Sequence, residues 1–294
     1  MRTLLLALLL GAVLSFLSTA VQSRIRGLLY RQPGMLPTVP FLLTAIFCGA
    51  AALVNALSLP LFVMILVYTT APVLCMAASG KGPVERPSLL DFLAILLLWL
   101  PVEFNVGARL VPVNAQGYLH SVAYAIAILL GLVLFRCFRG LPGMKYNLPS
   151  TPRDGWVALA GFAASAPVLI AVGIAIGFIP WPHLPARSAG AMAAAVPLIF
   201  FATALPEEIL FRSLIQNLLM LRFGSGWRTL LTASIVFGAA HLDNGPQRVP
   251  NWRYMTVATI AGLAYGWVFR KASSVLSSAT LHMMVDWTKH FFFQ

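Results

Sequence analysis

Two adjacent glutamates and an arginine stand inside an otherwise apolar stretch, in the run Ala202-Thr203-Ala204-Leu205-Pro206-Glu207-Glu208-Ile209-Leu210-Phe211-Arg212. A charge at the centre of an apolar membrane helix costs at least about 2.5 kcal/mol, so such charges are paired and put to use. The chain has only eight acidic residues, and two of them side by side here mark the segment out. At about 100° per residue, Glu208 and Arg212 are four apart and share a helical face, where they can neutralise one another. Glu207 is turned from Arg212 by about 140°, which keeps its carboxylate for chemistry. The competing reading is a buried salt-bridge network alone, but one arginine does not require two carboxylates.

Two further apolar segments carry polar groups at the same spacing. Phe237 and His241 are four apart in Phe237-Gly238-Ala239-Ala240-His241. His282, Asp286 and His290 are spaced by four and line one stripe, with His290 near its interfacial end. Taken singly, each is as well explained by a locally satisfied histidine. Together, two imidazoles, a carboxylate available to water and a further Asp suffice to activate a water and steady an oxyanion. The same donor set also suits zinc. Other intramembrane protease chemistries lack their residues: no H-E-x-x-H occurs, no G-x-S-G (Gly224-Ser225-Gly226 follows Arg222-Phe223), and no G-x-G-D.

The elements that must position these groups are membrane helices. The 294 residues are 60% hydrophobic and 10% charged, with mean hydropathy +0.86, whereas a soluble domain is about a quarter charged. Apolar segments run at 3–22, 39–57, 60–79, 90–104, 119–137, 156–180, 190–221, 229–242, 254–270 and 273–292. A span needs about 20 apolar residues, so an all-α polytopic membrane bundle of about eight to ten transmembrane helices is expected. The segments at 90–104 and 229–242 are short enough to be tilted, re-entrant or buried. Residues 1–22 resemble a signal peptide, with Arg2, a leucine core and Ser18-Thr19-Ala20. Arg24, Arg26 and Arg31 follow at once and favour an uncleaved first helix instead.

A net charge of +12 does not signal nucleic acid, because the basic residues are dispersed in short loops. With the first terminus outside, cytoplasmic loops hold Arg24, Arg26, Arg31, Lys81, Arg86, Arg136, Arg139, Lys145, Arg153, Arg222, Arg228, Arg270 and Lys271. The smaller outer set is Arg2, Arg109, Arg187, Arg248, Arg253 and Lys289. Cys48, Cys75 and Cys137 are scattered through or beside apolar segments and read as packing thiols. The turn-rich loop 138–155 divides an N-terminal transmembrane region, 1–150, from a C-terminal helical core, 151–294. Four acids (Glu85, Asp91, Glu103, Asp154) precede Gly155; the other four (Glu207, Glu208, Asp243, Asp286) lie in or beside the late helices. No internal repeat marks a transporter.

The ordered set Glu207-Glu208-x-x-x-Arg212, Phe237-x-x-x-His241 and His282-x-x-x-Asp286 resembles the CPBP family of intramembrane glutamic endopeptidases. That family includes CAAX prenyl endopeptidases of the Rce1 type and the bacterial Abi, or bacteriocin-processing and immunity, proteins. Pro206 and the run Gly266-Trp267-Val268-Phe269-Arg270 with Ser273-Ser274 also look familial, and the resemblance covers roughly residues 155–292. It implies that Glu207 activates water with His241, that His282 and Asp286 form the oxyanion-binding pair, and that Glu208, Arg212 and Phe237 hold the site together. Some members carry Asn where this chain has Asp286; an ionised Asp cannot donate to an oxyanion, so Asp286 is either protonated or orients His282. The resemblance implies no metal and no cofactor. The implied partners are membrane lipid and a peptide or protein substrate, lipidated ones included, in a bacterial cytoplasmic membrane. The alternative functions are a non-catalytic immunity or membrane scaffolding protein and, third, a transporter.

Overall fold

Apolar segments in a bilayer satisfy their backbone groups only by coiling or by closing a barrel. In the computed structural model of this chain they coil: it describes residues 1–32, 34–83, 85–245 and 249–293, and no strand occurs among them. Arg248, assigned above to an outer loop, lies outside the described residues. Two compact units divide at Gly143 and Met144, seven residues earlier than the expected boundary at 150/151. Lys145 gives the reason: its ammonium donates to Phe269 O at 2.7 Å, Arg270 O at 3.2 Å and Ala272 O at 2.8 Å. It thereby caps the last carbonyls of a helix in the second unit.

The first unit contains α1 (Arg2–Ser15), α2 (Thr19–Arg31), α3 (Met35–Ala52), α4 (Leu59–Ser79), α5 (Leu89–Glu103) and α6 (Val113–Phe138). The expected first helix over 3–22 is broken. α1 ends at Ser15, and α2 leaves it at 88°. Successive turns over Phe16–Ser18 make the corner, and the Gln22 amide donates to Phe16 O at 2.6 Å to hold it. Hydropathy runs from the apolar α1 into the first turn of α2 and stops there, so the basic remainder of α2 reads as a loop. Asp91 caps α5 in a reciprocal box with Ser88 and also pairs with Arg139 at 2.8 Å.

The second unit contains α7 (Arg153–Ala175), α8 (Ala189–Phe223), α9 (Trp227–Ala239), α10 (Trp252–Lys271) and α11 (Val275–Phe292). Two glycine contacts bring its helices close. A Cβ on Gly238 of α9 would collide with the Thr259 hydroxyl and stand 2.6 Å from Met255 O of α10. A Cβ on Gly161 of α7 would stand 2.6 Å from Val268 and 3.0 Å from Leu281. Ser274 caps α11 by accepting from Leu276 N, while Ser273 N donates to Asp154 Oδ1 at 2.7 Å. The two adjacent serines noted in the sequence thus fix where the last helix begins.

Five helices, α3, α4, α6, α7 and α8, are long and apolar enough to cross a membrane, and the bent α1–α2 pair meets the same criterion jointly. α5 and α9 are only 15 and 13 residues long. Cys48, Cys75 and Cys137 are free thiols.

Candidate active site

α8 is not wound uniformly. Phe200–Ala204 and Ile209–Gln216 are π-helical and flank the short α-helical turn Leu205–Glu208. Wide turns of this kind are rare and concentrate at functional sites. The regular wheel assumed from the sequence is therefore replaced by a broader one, yet the expected pair forms: Arg212 Nε donates to Glu208 Oε2 at 3.1 Å, both side chains fully buried. Arg212 Nη1 donates to Gln216 Oε1 at 3.3 Å, and Gln216 Nε2 donates to Gly266 O of α10 at 3.0 Å. The guanidinium also lies 4.9 Å from the Phe237 ring centroid, within cation–π range. Desolvating this arginine is thus offset by a carboxylate, an amide and an aromatic face.

Glu208 does more than neutralise Arg212. Ser278 of α11 donates to its Oε2, and its Oε1 stands 3.2 Å from His282 Nδ1. A carboxylate can only accept, so His282 Nδ1 carries a proton. The opposite ring nitrogen, Nε2, lies 3.4 Å from Asp286 Oδ2 and 3.9 Å from Glu207 Oε2. The His282 imidazole stacks on Tyr265 with centroids 4.5 Å apart and planes 21° from parallel. Its orientation is therefore fixed by two carboxylates and one ring.

His241 sits two residues beyond α9, in the turn that follows it. Its Nδ1 donates to Phe237 O at 2.8 Å, which assigns the proton to Nδ1 and leaves Nε2 to face Glu207 Oε2 at 4.0 Å. The turn is pinned by the buried Asn251, whose backbone N–H reaches Leu242 O and whose amide donates to Asn244 O at 2.9 Å. The Phe237 ring packs 4.8 Å from the His241 ring and 4.9 Å from Phe211. Tyr254 closes the other side, 4.6 Å from the His241 ring.

The structure thus brings Glu207, Glu208, Arg212, Phe237, His241, His282 and Asp286 together. Glu207 Oε2 lies between the Nε2 atoms of the two histidines. Glu207 and Asp286 keep 21% and 31% of their side chains exposed, against none for Glu208. The exposed part of Glu207 does not include Oε2, which is buried between the helices. His290 is exposed and packs on Phe291 instead, and Asp243 is exposed as well.

Ser278, Gln216, Tyr265 and Tyr254 are site residues that the sequence reading missed. Ser278 is four before His282 and Gln216 four after Arg212, so extending each stripe by one turn would have reached them. No spacing rule would have found the two tyrosines. Among the described residues, no group of three or more His, Cys, Asp and Glu is arranged to hold a metal ion.

Residues 189–288 match the family model described as type II CAAX prenyl endopeptidase Rce1-like. The match covers roughly a third of the chain and spans every one of these site residues. No curated protein and no solved structure matches the chain.

Proposed function

We propose that this chain, whose residues 189–288 form an Rce1-like CAAX endopeptidase domain, hydrolyses peptide bonds of membrane-associated substrates with a water activated by Glu207 and His241. The observation that carries the reading is the position of Glu207 Oε2, 4.0 Å from His241 Nε2 and 3.9 Å from His282 Nε2. We place the reacting water between this carboxylate and the unprotonated His241 nitrogen, a 4.0 Å separation that one water would bridge.

In this reading Glu207 takes one proton from that water as its oxygen bonds to the substrate carbonyl carbon. The π electrons of the carbonyl move onto its oxygen. His282 Nε2–H donates to the resulting oxyanion, and Glu208 at Nδ1 holds the ring in place and offsets its charge. As the tetrahedral centre collapses, the carbonyl re-forms and the C–N bond breaks. The proton stored on Glu207 then passes to the departing amine. Asp286, 3.4 Å from His282 Nε2, orients that imidazole and yields the N–H when the oxyanion forms.

The substrates fitting this chemistry are peptides or proteins held at a membrane, with lipidated ones included. We read α5, α9, α10 and α11 as completing a bundle of about eight to ten membrane helices, with the site reached from the cytoplasmic side. The test is cleavage of a membrane-associated peptide library by the purified full chain in lipid nanodiscs. Cleavage that vanishes in Glu207→Ala supports the reading. Cleavage that survives in Glu207→Ala overturns the role given to Glu207, and a well-folded wild-type chain that cuts nothing overturns the hydrolytic reading and favours a binding or scaffolding role.

A further inference from the structure

The first unit holds a cavity, bearing two arginines, that peptide hydrolysis does not use. It measures about 370 Å³ and is lined by Thr19, Gln22, Ser23, Arg26, Gly27, Tyr30 and Arg136. All but Arg136 lie on one face of α2, at spacings of three and four. Two arginines enter this space and no carboxylate lines it. Elsewhere in the unit the buried Arg139 is matched by Asp91. Here the guanidiniums are held by neutral groups: Arg136 Nε donates to Gln22 Oε1 at 2.7 Å, and Arg26 Nη2 donates to Arg136 O at 2.9 Å. The Nε–H of Arg26 is buried and has no hydrogen-bond partner among the described residues. The Lys81 ammonium, 5.7 Å from the Tyr30 ring centroid, adds a third cation beside the cavity.

Two cations with an unsatisfied donor and no counter-charge call for an anion, and guanidinium forks match phosphate oxygens. The position favours a lipid phosphate. A 14-residue apolar helix that turns by 88° into one bearing Arg24, Arg26 and Arg31 has the form of an apolar segment followed by a basic one lying in the headgroup plane. Basic pockets beside membrane helices bind anionic headgroups. We infer that the cavity between α2 and the end of α6 is a binding site for the phosphate of an anionic phospholipid, with Arg26 and Arg136 as its ligands.

The test uses the purified full chain and three probes: phosphatidylglycerol, phosphatidylcholine and inorganic phosphate. Native mass spectrometry should find phosphatidylglycerol retained in preference to phosphatidylcholine. Retention should weaken about fivefold in Arg26→Gln and in Arg136→Gln. It should be unchanged in Arg24→Gln, an exposed arginine of the same helix outside the cavity. Ser23→Glu keeps both arginines but sets a carboxylate among them from an exposed position, and it should abolish retention in a chain of unaltered melting temperature. Phosphatidylglycerol alone raising the melting temperature identifies the headgroup as the ligand. An equal rise with inorganic phosphate, lost in Ser23→Glu, identifies the same site as one for free phosphate. Equal retention of the two lipids, or of phosphatidylglycerol by the wild type, Arg26→Gln and Ser23→Glu alike, overturns the proposal.

Discussion

Glu208 and His282, 74 residues apart in sequence, meet through Oε1 and Nδ1 at 3.2 Å. The contact ties the helix bearing the paired glutamates to the last helix. It gives the second glutamate a part in placing the imidazole as well as in neutralising Arg212.

The two glutamates should therefore fail differently. Glu207→Gln should lower turnover by a factor on the order of 10³, the contribution of a positioned general base, while yield and melting temperature stay close to wild type. Glu208→Gln should lose activity too, but with a stability loss of about 3 kcal/mol or more, because Arg212 is left buried without its counter-charge. Turnover and thermal melts on both variants decide this; equal destabilisation would remove the distinction.

Asp286→Asn keeps an oxygen that can accept from His282 Nε2 and removes the charge. We expect a folded enzyme whose turnover falls about tenfold, with a rate–pH curve of the same shape as wild type. If Asp286 instead donated to the oxyanion as a neutral acid, the wild type would lose activity as pH rises through its ionisation, and the Asn variant would not. Rate–pH curves for the two proteins on one peptide separate these roles.

Chelation should leave activity intact. Both nitrogens of His282 face carboxylates and His241 Nδ1 is engaged by Phe237 O, so His241 Nε2 is the one imidazole nitrogen of the pair left open, fewer than a protein zinc site uses. Elemental analysis of the active protein before and after chelation is the check, and zinc that tracks activity would contradict the expectation.

Gly238→Ala should disturb catalysis from a distance. Its new methyl would press on Thr259 and on Met255 O, forcing α9 off α10 and moving His241, three residues on. Overpacking of this kind costs about 1–3 kcal/mol. The expected result is a lowered melting temperature together with a loss of turnover, whereas Gly155→Ala, with open space around it, should change neither.

The loops following α8 and α10 should face the cytoplasm. Arg222 and Arg228 flank one, and Arg270 and Lys271 the other. Cysteines placed in these loops should be shielded from a membrane-impermeant thiol reagent in intact cells and labelled after lysis. Labelling in intact cells would reverse the proposed side.

The late helices were legible because burial of charge in apolar sequence is conspicuous. The segment at 190–221 became Ala189–Phe223, and the one at 254–270 became Trp252–Lys271. Spacing by four also gave the two contacts internal to a helix, Glu208 with Arg212 and His282 with Asp286. What spacing cannot encode is which helix lies beside which. The reach of Ser278 and His282 to Glu208 depends on the packing of α8 against α11, and the sequence carries no direct sign of it. α2 was hidden for a different reason: a polar helix leaves no trace in a hydropathy profile, so the corner at Phe16–Ser18 went unseen.

The wide winding on either side of Leu205–Glu208 makes the site depend on arithmetic as well as on chemistry. A π turn accommodates one residue more than an α turn does. Losing a single residue from Ile209–Gln216 would let that stretch relax to ordinary winding with both glutamates still in the chain. Everything beyond Gln216 would then keep close to its rotational phase, because ordinary winding turns nearly as far with one residue fewer. The change would fall inside the stretch: a residue lost between Glu208 and Arg212 shortens their spacing from four to three. Chain length there is thus under constraint together with residue identity. A variant one residue short between the two, with every polar group of the site retained, should lose the fit of that buried pair and turnover with it.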